Sequence, residues 1–349
     1  MSDAHPLLPA ATPLLRSDAA DLQVGGVDTA EGLLVSPQPE GLAGLLRGLD
    51  GRRVQRAVVA DAARAGLDAG AVGAVLDELR AAGLLVDVDA ADLLASDAGP
   101  AAAARRVVEL PPGGGWRNRR AAVVVVEGAT RVGTPLAAVL AASGVGRVSV
   151  RDGGLTAAGD AVVGGATAAD EGRPRSLAAA DAVRRASPLT DLRPPGAGAS
   201  PDLVVLARPW AASDPTTARW SRAGVPHLVA TVRGATGVVG PLVVPGVTSC
   251  LRCADLHRRD ADPRWPQLAA QLTAADPPPS GSTVTCLLTA ATAAAQVLAY
   301  LDGSAAPAAV DATLELVPPE LVPRVRRWVP HPECGCTQRT DRPAGDNGP

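Results

Sequence analysis

Two close cysteine pairs, Cys250-Leu-Arg-Cys253 and Cys334-Gly-Cys336, constrain this chain more than any other feature, because roughly 80 residues separate them. The two-residue spacing of the first pair lets both thiolates face one ion, and the glycine of the second permits the tight turn that brings its sulfurs together. Four sulfurs form the closed tetrahedral shell that zinc prefers, with no position left for a substrate. The expected ion is a structural Zn2+ held by Cys250, Cys253, Cys334 and Cys336, stapling the end of a domain to its middle. A redox dithiol or unrelated thiols would use the same residues differently. His257 and His331 stand beside the pairs and could replace a sulfur, but with four cysteines at hand they are expected to bond to backbone. Cys286 sits alone in an apolar stretch without a basic sequence neighbour to activate it, and reads as a small buried hydrophobe.

Five cysteines in 349 residues make no disulfide framework. Residues 1–15 lack the basic region and apolar core of a secretory signal, so the cytoplasm is the expected compartment. The missing residue types restrict the chemistry further: the chain has no Phe, Ile or Lys, and all 33 basic residues are arginine. A Walker A loop and a Schiff-base enzyme each need a lysine, and both are excluded. A formal net charge of −3 offers no general attraction for a phosphate backbone, so no nucleic-acid partner is expected. Hydrophobic residues at 47% suffice for the two or three domains this length implies. No run is read as approaching the ~20 apolar residues of a bilayer span, and no membrane partner is expected.

Residues 1–20 read as a flexible polar lead-in. Residues 21–95 predict a small winged-helix-like α+β module: strands at 22–24 and 32–35, three amphipathic helices, and a closing strand at 84–86. The helices present Leu42, Leu45, Leu46 and Leu49, then Val54, Val58 and Ala62, then Val72, Val75, Leu76 and Leu79. Residues 96–116, with Pro111-Pro-Gly-Gly-Gly115, read as a linker. Residues 117–337 predict an α/β domain. Its βαβ unit has strands at 121–126 and 147–150 around a helix at 134–143, and strands at 203–207 and 226–231 extend an open, mostly parallel sheet. A helix spans 216–223, a long apolar helix at 284–301 stops at Gly303, and late antiparallel strands fall at 313–316 and 324–328. Residues 338–349 read as a frayed tail.

The turn Glu127-Gly-Ala-Thr-Arg-Val-Gly133 lies where a nucleotide-binding βαβ unit cradles phosphates. Gly128 permits the tight turn and Gly133 close helix–strand packing, but Thr130 and Arg131 stand where backbone must approach a phosphate. Glu127 adds a carboxylate where a triphosphate would sit. The turn alone reads as a nucleotide site or as its vestige.

From residue 121 onward the chain resembles the ThiF/MoeB family, relatives of ubiquitin-activating enzymes that adenylate a carboxyl terminus with ATP and Mg2+. The resemblance is carried by residues 123–133, Ala142-Ser-Gly-Val-Gly-Arg147 leading to Asp152, Gly172-Arg-Pro-Arg175, Gly224-Val-Pro-His227, Gly237-Val-Val-Gly-Pro-Leu242 and residues 245–253. Within that family, residues 250–260, Asp262-Pro-Arg-Trp-Pro266 and His331-Pro-Glu-Cys-Gly-Cys336 resemble a subgroup from azole-forming peptide (TOMM) pathways. The resemblance implies a Rossmann-type open sheet with structural zinc. The N-terminal module is similar to PqqD-like peptide-recognition elements through Leu49-Asp-Gly-Arg-Arg53 and Leu79-Arg-Ala-Ala-Gly-Leu-Leu85. That likeness implies a leader peptide added as a strand to the sheet edge and packed on the last helix. Arg52, Arg53 and Arg80 either line this groove and favour an acidic leader or are solvated surface residues.

Departures from the family pattern decide the expected activity. Gly154 replaces a second acid after Asp152, residues 159–164 lack an Asn–Arg–Gln segment, Arg175 occupies a lysine position, and Ala207-Arg-Pro-Trp210 supplies no magnesium-binding aspartate. No cysteine lies between Leu206 and Gly240 to form a thioester. Gly128, Arg131, Gly133 and Asp152 therefore mark a vestigial nucleotide site, with neither ATP nor Mg2+ expected and no catalytic residue assigned. The expected function is an adaptor that presents the leader of a ribosomal precursor peptide to a separate YcaO-type cyclodehydratase for azoline and azole formation. The alternative is a divergent adenylyltransferase that activates a peptide carboxylate through Gly128, Arg131 and Asp152. A homodimer is compatible with the resemblance.

Overall fold

The computed structural model describes residues 4–16, 20–26, 32–88, 116–196, 198–208, 215–274, 280–303 and 306–336. The chain divides into two compact units, Met1–Arg117 and Asn118–Pro349; the expected tail at 338–349 and the expected linker at 96–116, apart from Trp116, which starts a helix, lie outside the described residues.

In the first unit, strands β1 (His5–Leu7), β2 (Leu14–Arg16), β3 (Leu22–Val24) and β4 (Leu33–Val35) precede helices α1 (Leu42–Arg47), α2 (Gln55–Arg64) and α3 (Ala69–Ala81), and β5 (Val86–Val88) follows. β2, β3 and β4 form an antiparallel sheet, and β1 pairs with β5. This corrects the expected flexible lead-in: β5 and β3 hold its two strands, and Leu7 is only 2% exposed. Three-residue strands are too short to show an alternating pattern, and a partner about 80 residues away leaves no local signal. The closing strand likewise starts two residues later than expected. Leu42, Leu46, Val58, Ala62, Val72, Leu76 and Leu79 pack from the helices onto Leu22, Val24 and Val35, as the 3.6-residue period requires. Asp68 caps α3 by accepting the Ala71 N–H at 2.7 Å.

The second unit runs α4 (Trp116–Ala121), β6 (Val123–Glu127), α5 (Gly133–Ala142), β7 (Arg147–Arg151), α6 (Arg175–Ala186), β8 (Leu203–Leu206), α7 (Pro215–Arg222), β9 (His227–Arg233), β10 (Thr236–Val243), α8 (Leu251–Ala261), α9 (Trp265–Ala274), α10 (Thr283–Asp302), β11 (Ala312–Leu316) and β12 (Pro323–Arg327). The seven strands take the order β12-β11-β10-β9-β8-β6-β7. Pairings among β7, β6, β8 and β9 are parallel, whereas β9/β10, β10/β11 and β11/β12 are antiparallel. The sheet is therefore mixed, not mostly parallel. The reversal begins in the β9–β10 hairpin, where Gly234 adopts φ 58°. β10 escapes the sequence pattern because Gly237, Gly240 and Pro241 interrupt its valines and leucine.

Strand alternation fills two cores. Val124 and Val126 face the layer containing α5 and α10, while Val125 faces Trp220 of α7 and Leu251 and Ala254 of α8. The expectation of no span-length apolar run needs correction at α10, whose 20 residues have a mean hydropathy of 1.7 over the best window, long and apolar enough for a bilayer. Here its Thr285, Cys286, Thr289, Ala290, Ala293, Ala294 and Val297 are buried, and it packs across β9, β10 and α5. Gly237 makes that approach possible, since a Cβ there would strike the Thr289 hydroxyl, which donates to Thr285 O at 2.7 Å. Gly237→Ala is expected to destabilise the protein by ~1–3 kcal/mol through overpacking, read as a lower thermal midpoint.

Candidate metal centre and strand-end crevice

Cys250 occupies the N-cap of α8 and Cys253 lies within its first turn, so both sulfurs sit at the start of one helix. Cys334 and Cys336 arrive after β12, and all four sulfurs lie within 4.8 Å of one another. The Cys250–Cys253, Cys250–Cys334 and Cys253–Cys336 separations are 3.9, 3.5 and 3.4 Å. Tetrahedral zinc with ~2.3 Å bonds sets its sulfurs about 3.8 Å apart, so this donor set fits a metal ion with little movement. Cys253 and Cys334 are buried, and Cys250 and Cys336 partly so. Burial pushes the Cys250 thiol up, and the Cys336 thiol up to about 12. A divalent ion bound there would displace those protons.

The two histidines brace the centre from outside the sulfur cluster. His331 donates its backbone N–H to Cys253 Sγ at 3.3 Å, while its Nε2 lies 2.7 Å from Asp260 and its Nδ1 accepts the Glu333 N–H at 3.1 Å. His257 Nε2 meets Val329 O at 3.0 Å. Arg258 stacks between Trp265 and Trp328, 5.0 and 4.8 Å from the ring centres, and Arg326 covers Trp328 at 4.4 Å. Burial brings Arg258 down to about 10, yet Asp255 accepts its Nη1 at 3.1 Å. This ladder fastens the exit of β12 to α8 and α9. No local sequence period signals it, because the rings and guanidinia come from three separate segments.

At the carboxyl ends of β6, β7 and β8, the loop amides are consumed internally. Thr130 Oγ1 accepts the N–H groups of Gly133 at 3.0 Å and Val132 at 3.3 Å, and donates to Ala207 O at 2.9 Å. Arg131 turns away to donate to Gly281 O and Thr283 Oγ1 at 2.6 and 2.9 Å. Asp152 accepts Ala129 N–H at 2.9 Å and Gly154 N–H at 2.8 Å, with Arg175 Nη1 at 3.9 Å. Gly128 takes φ 114°, and its open side is covered by the stem of Arg208. Glu127 accepts Arg219 Nη2 at 2.5 Å and lies 3.6 Å from Arg151. The crevice thus brings Gly128, Gly133 and Asp152 together, but Arg131 is latched to the start of α10. The contribution of Arg219, brought over from α7, was not expected from sequence.

The class defined by these features is a Rossmann-type α/β domain whose end brings four cysteine sulfurs together. Residues 108–336 match the ThiF family, and the chain belongs to it. No curated protein matches the chain. Among solved structures it is similar to Escherichia coli MccB with ATP, at 15% identity and TM-score 0.61, covering 95% of this chain and 99% of that one. The Microcin C7 biosynthetic enzyme MccB in complex with N-formylated MccA gives 15% and 0.62 over the same shares. PaaA gives 15% and 0.56, covering 91% of this chain and 98% of that one. These likenesses are of fold, and at 95% of this chain the MccB match extends beyond the ThiF domain into the N-terminal unit.

Proposed function

We propose that the chain is a non-catalytic adaptor of an azole-forming (TOMM) peptide pathway. Its N-terminal unit is a PqqD-like element that captures a precursor leader, and its ThiF domain, stapled by Zn2+ on Cys250, Cys253, Cys334 and Cys336, docks a separate YcaO-type cyclodehydratase. When bound, the zinc supplies structural cross-linking alone, because four thiolates leave it no open position. The observation that carries the reading is the Thr130 hydroxyl on the first amides of α5, the groups that a phosphate would need. Arg208 over Gly128 and the occupied carboxylate of Asp152 support it. The reading implies a cytoplasmic location and is compatible with a homodimer. The fold shared with MccB, solved with ATP, favours the second reading, a divergent adenylyltransferase.

Leader capture is supported by β4, an edge strand with α3 packed beside it and Leu34 pointing outward at 59% exposure. A leader strand added there would gain backbone hydrogen bonds and an apolar contact. These arginines already have acidic or polar neighbours, which weakens the case for an acidic leader. Arg80 bonds Asp87, Asp77 and Gln55 at 2.7 Å each, Arg53 bonds Asp61 at 2.5 Å, and Arg52 lies 3.8 Å from Asp50. Fluorescence anisotropy with a labelled leader, taken from a short Cys/Ser/Thr-rich precursor encoded beside a cyclodehydratase, tests the capture step. A proline in the middle of the leader strand and Leu34→Asp should each weaken binding about tenfold or more, with little dependence on salt. Unchanged affinity in both variants would place recognition elsewhere.

A further inference from the structure

A cleft of about 380 Å3 opens beside the cysteine cluster. Cys250, Cys334 and Cys336 form one wall, and Val243, Pro245 and Leu251 contribute an apolar surface. Two arginines also line it, Arg222 at the end of α7 and Arg252 in the first turn of α8, and none of the lining residues is acidic. Both arginines are exposed, and among the described residues neither has an ion-pair or hydrogen-bond partner. The two partly exposed cysteines, Cys250 and Cys336, border this same cleft.

A divalent ion held by four thiolates leaves a net charge of about −2, one negative charge for each guanidinium in the cleft. The start of α8 and the His331 N–H offset part of it from the protein side. We infer that Arg222 and Arg252 are positioning residues for the metal, supplying the opposing charge from the solvent side. The inference rests on the four-cysteine metal reading. Salt screens charges across a cleft less where protein, rather than water, fills the space between them, and more as ionic strength rises. Ordinary solvated arginines would leave metal retention unaffected.

The test is competition for zinc between the full-length protein and a chromophoric chelator at low ionic strength. The double variant Arg222→Gln/Arg252→Gln should lower zinc affinity about tenfold, the lower end of what loss of supporting groups costs a metal site. The double lysine variant, which keeps the charge without the guanidinium geometry, should stay within about twofold of the parent. In 1 M salt, where the Debye length is ~3 Å, the glutamine effect should shrink. Far-UV circular dichroism identifies variants that retain the fold, and the single variant Arg252→Gln should show an intermediate loss. Parent-like zinc retention in the folded glutamine variant overturns the inference, as does equal loss in the lysine variant. A parent protein holding no zinc overturns the metal reading and this inference together, whereas one zinc per chain with indifferent arginine variants overturns only the latter.

Discussion

Cys253→Ser should abolish metal binding and free the segment after β12. Elemental analysis is expected to fall from one zinc per chain to none, and backbone amides across 329–336 should exchange far faster. Structural zinc contributes on the order of 10 kcal/mol in small sites, where folding and binding are one event. Here the sheet has its own core, so the loss should concentrate on the stapled segment. Among the described contacts, that segment would retain His257 on Val329 O at 3.0 Å, the His331–Asp260 contact at 2.7 Å, the Arg259–Glu333 pair at 2.9 Å and its neighbouring Trp328 stack. Binding also displaces protons from thiols that burial holds high, at Cys336 about 12, so metal affinity should fall as pH is lowered. Unchanged metal content in Cys253→Ser would refute the four-cysteine assignment.

The next largest effect is expected at the junction of α4 and α10. Arg119 donates Nε and Nη2 to Asp302 at 2.7 and 2.6 Å, the two side chains being 8% and 6% exposed, and its Nη1 reaches Ser143 O at 3.2 Å. Arg119→Met strands the Asp302 carboxylate in the interior and should cost ~3–5 kcal/mol in urea unfolding, whereas adding Asp302→Leu should recover most of that loss. The cost comes from leaving one charge buried alone, so a double variant as unstable as the single one would assign the effect to lost packing.

What the sequence reveals of this fold and what it hides divide along physical lines. The β6–α5–β7 unit was legible because an apolar run, a helix and a second strand follow within about 30 residues, each with its own period. The cysteine spacing likewise announced a cluster before any fold was known, since ligand geometry restricts spacing. β1 and β10 were not legible. The first pairs with a strand far along the chain, and the second carries two glycines and a proline that erase its alternation. The parallel bias failed for the same reason, since the hairpin after β9 turns on one glycine. At the crevice, the glycines and Asp152 could be placed from the motif alone. The Thr130 cap, the Arg131 latch and the Arg219–Glu127 pair depend on segments that only tertiary structure brings together.

The adaptor reading turns on whether this chain activates anything itself. ATP–pyrophosphate exchange, measured with the purified full-length protein and the precursor peptide and then with a YcaO-type cyclodehydratase added, addresses it most directly. The account predicts no exchange above background from the chain alone, and azoline formation, seen as loss of water from the precursor, only when the cyclodehydratase is present. Exchange by the chain alone that disappears in Asp152→Asn would contradict the account and establish the adenylyltransferase instead.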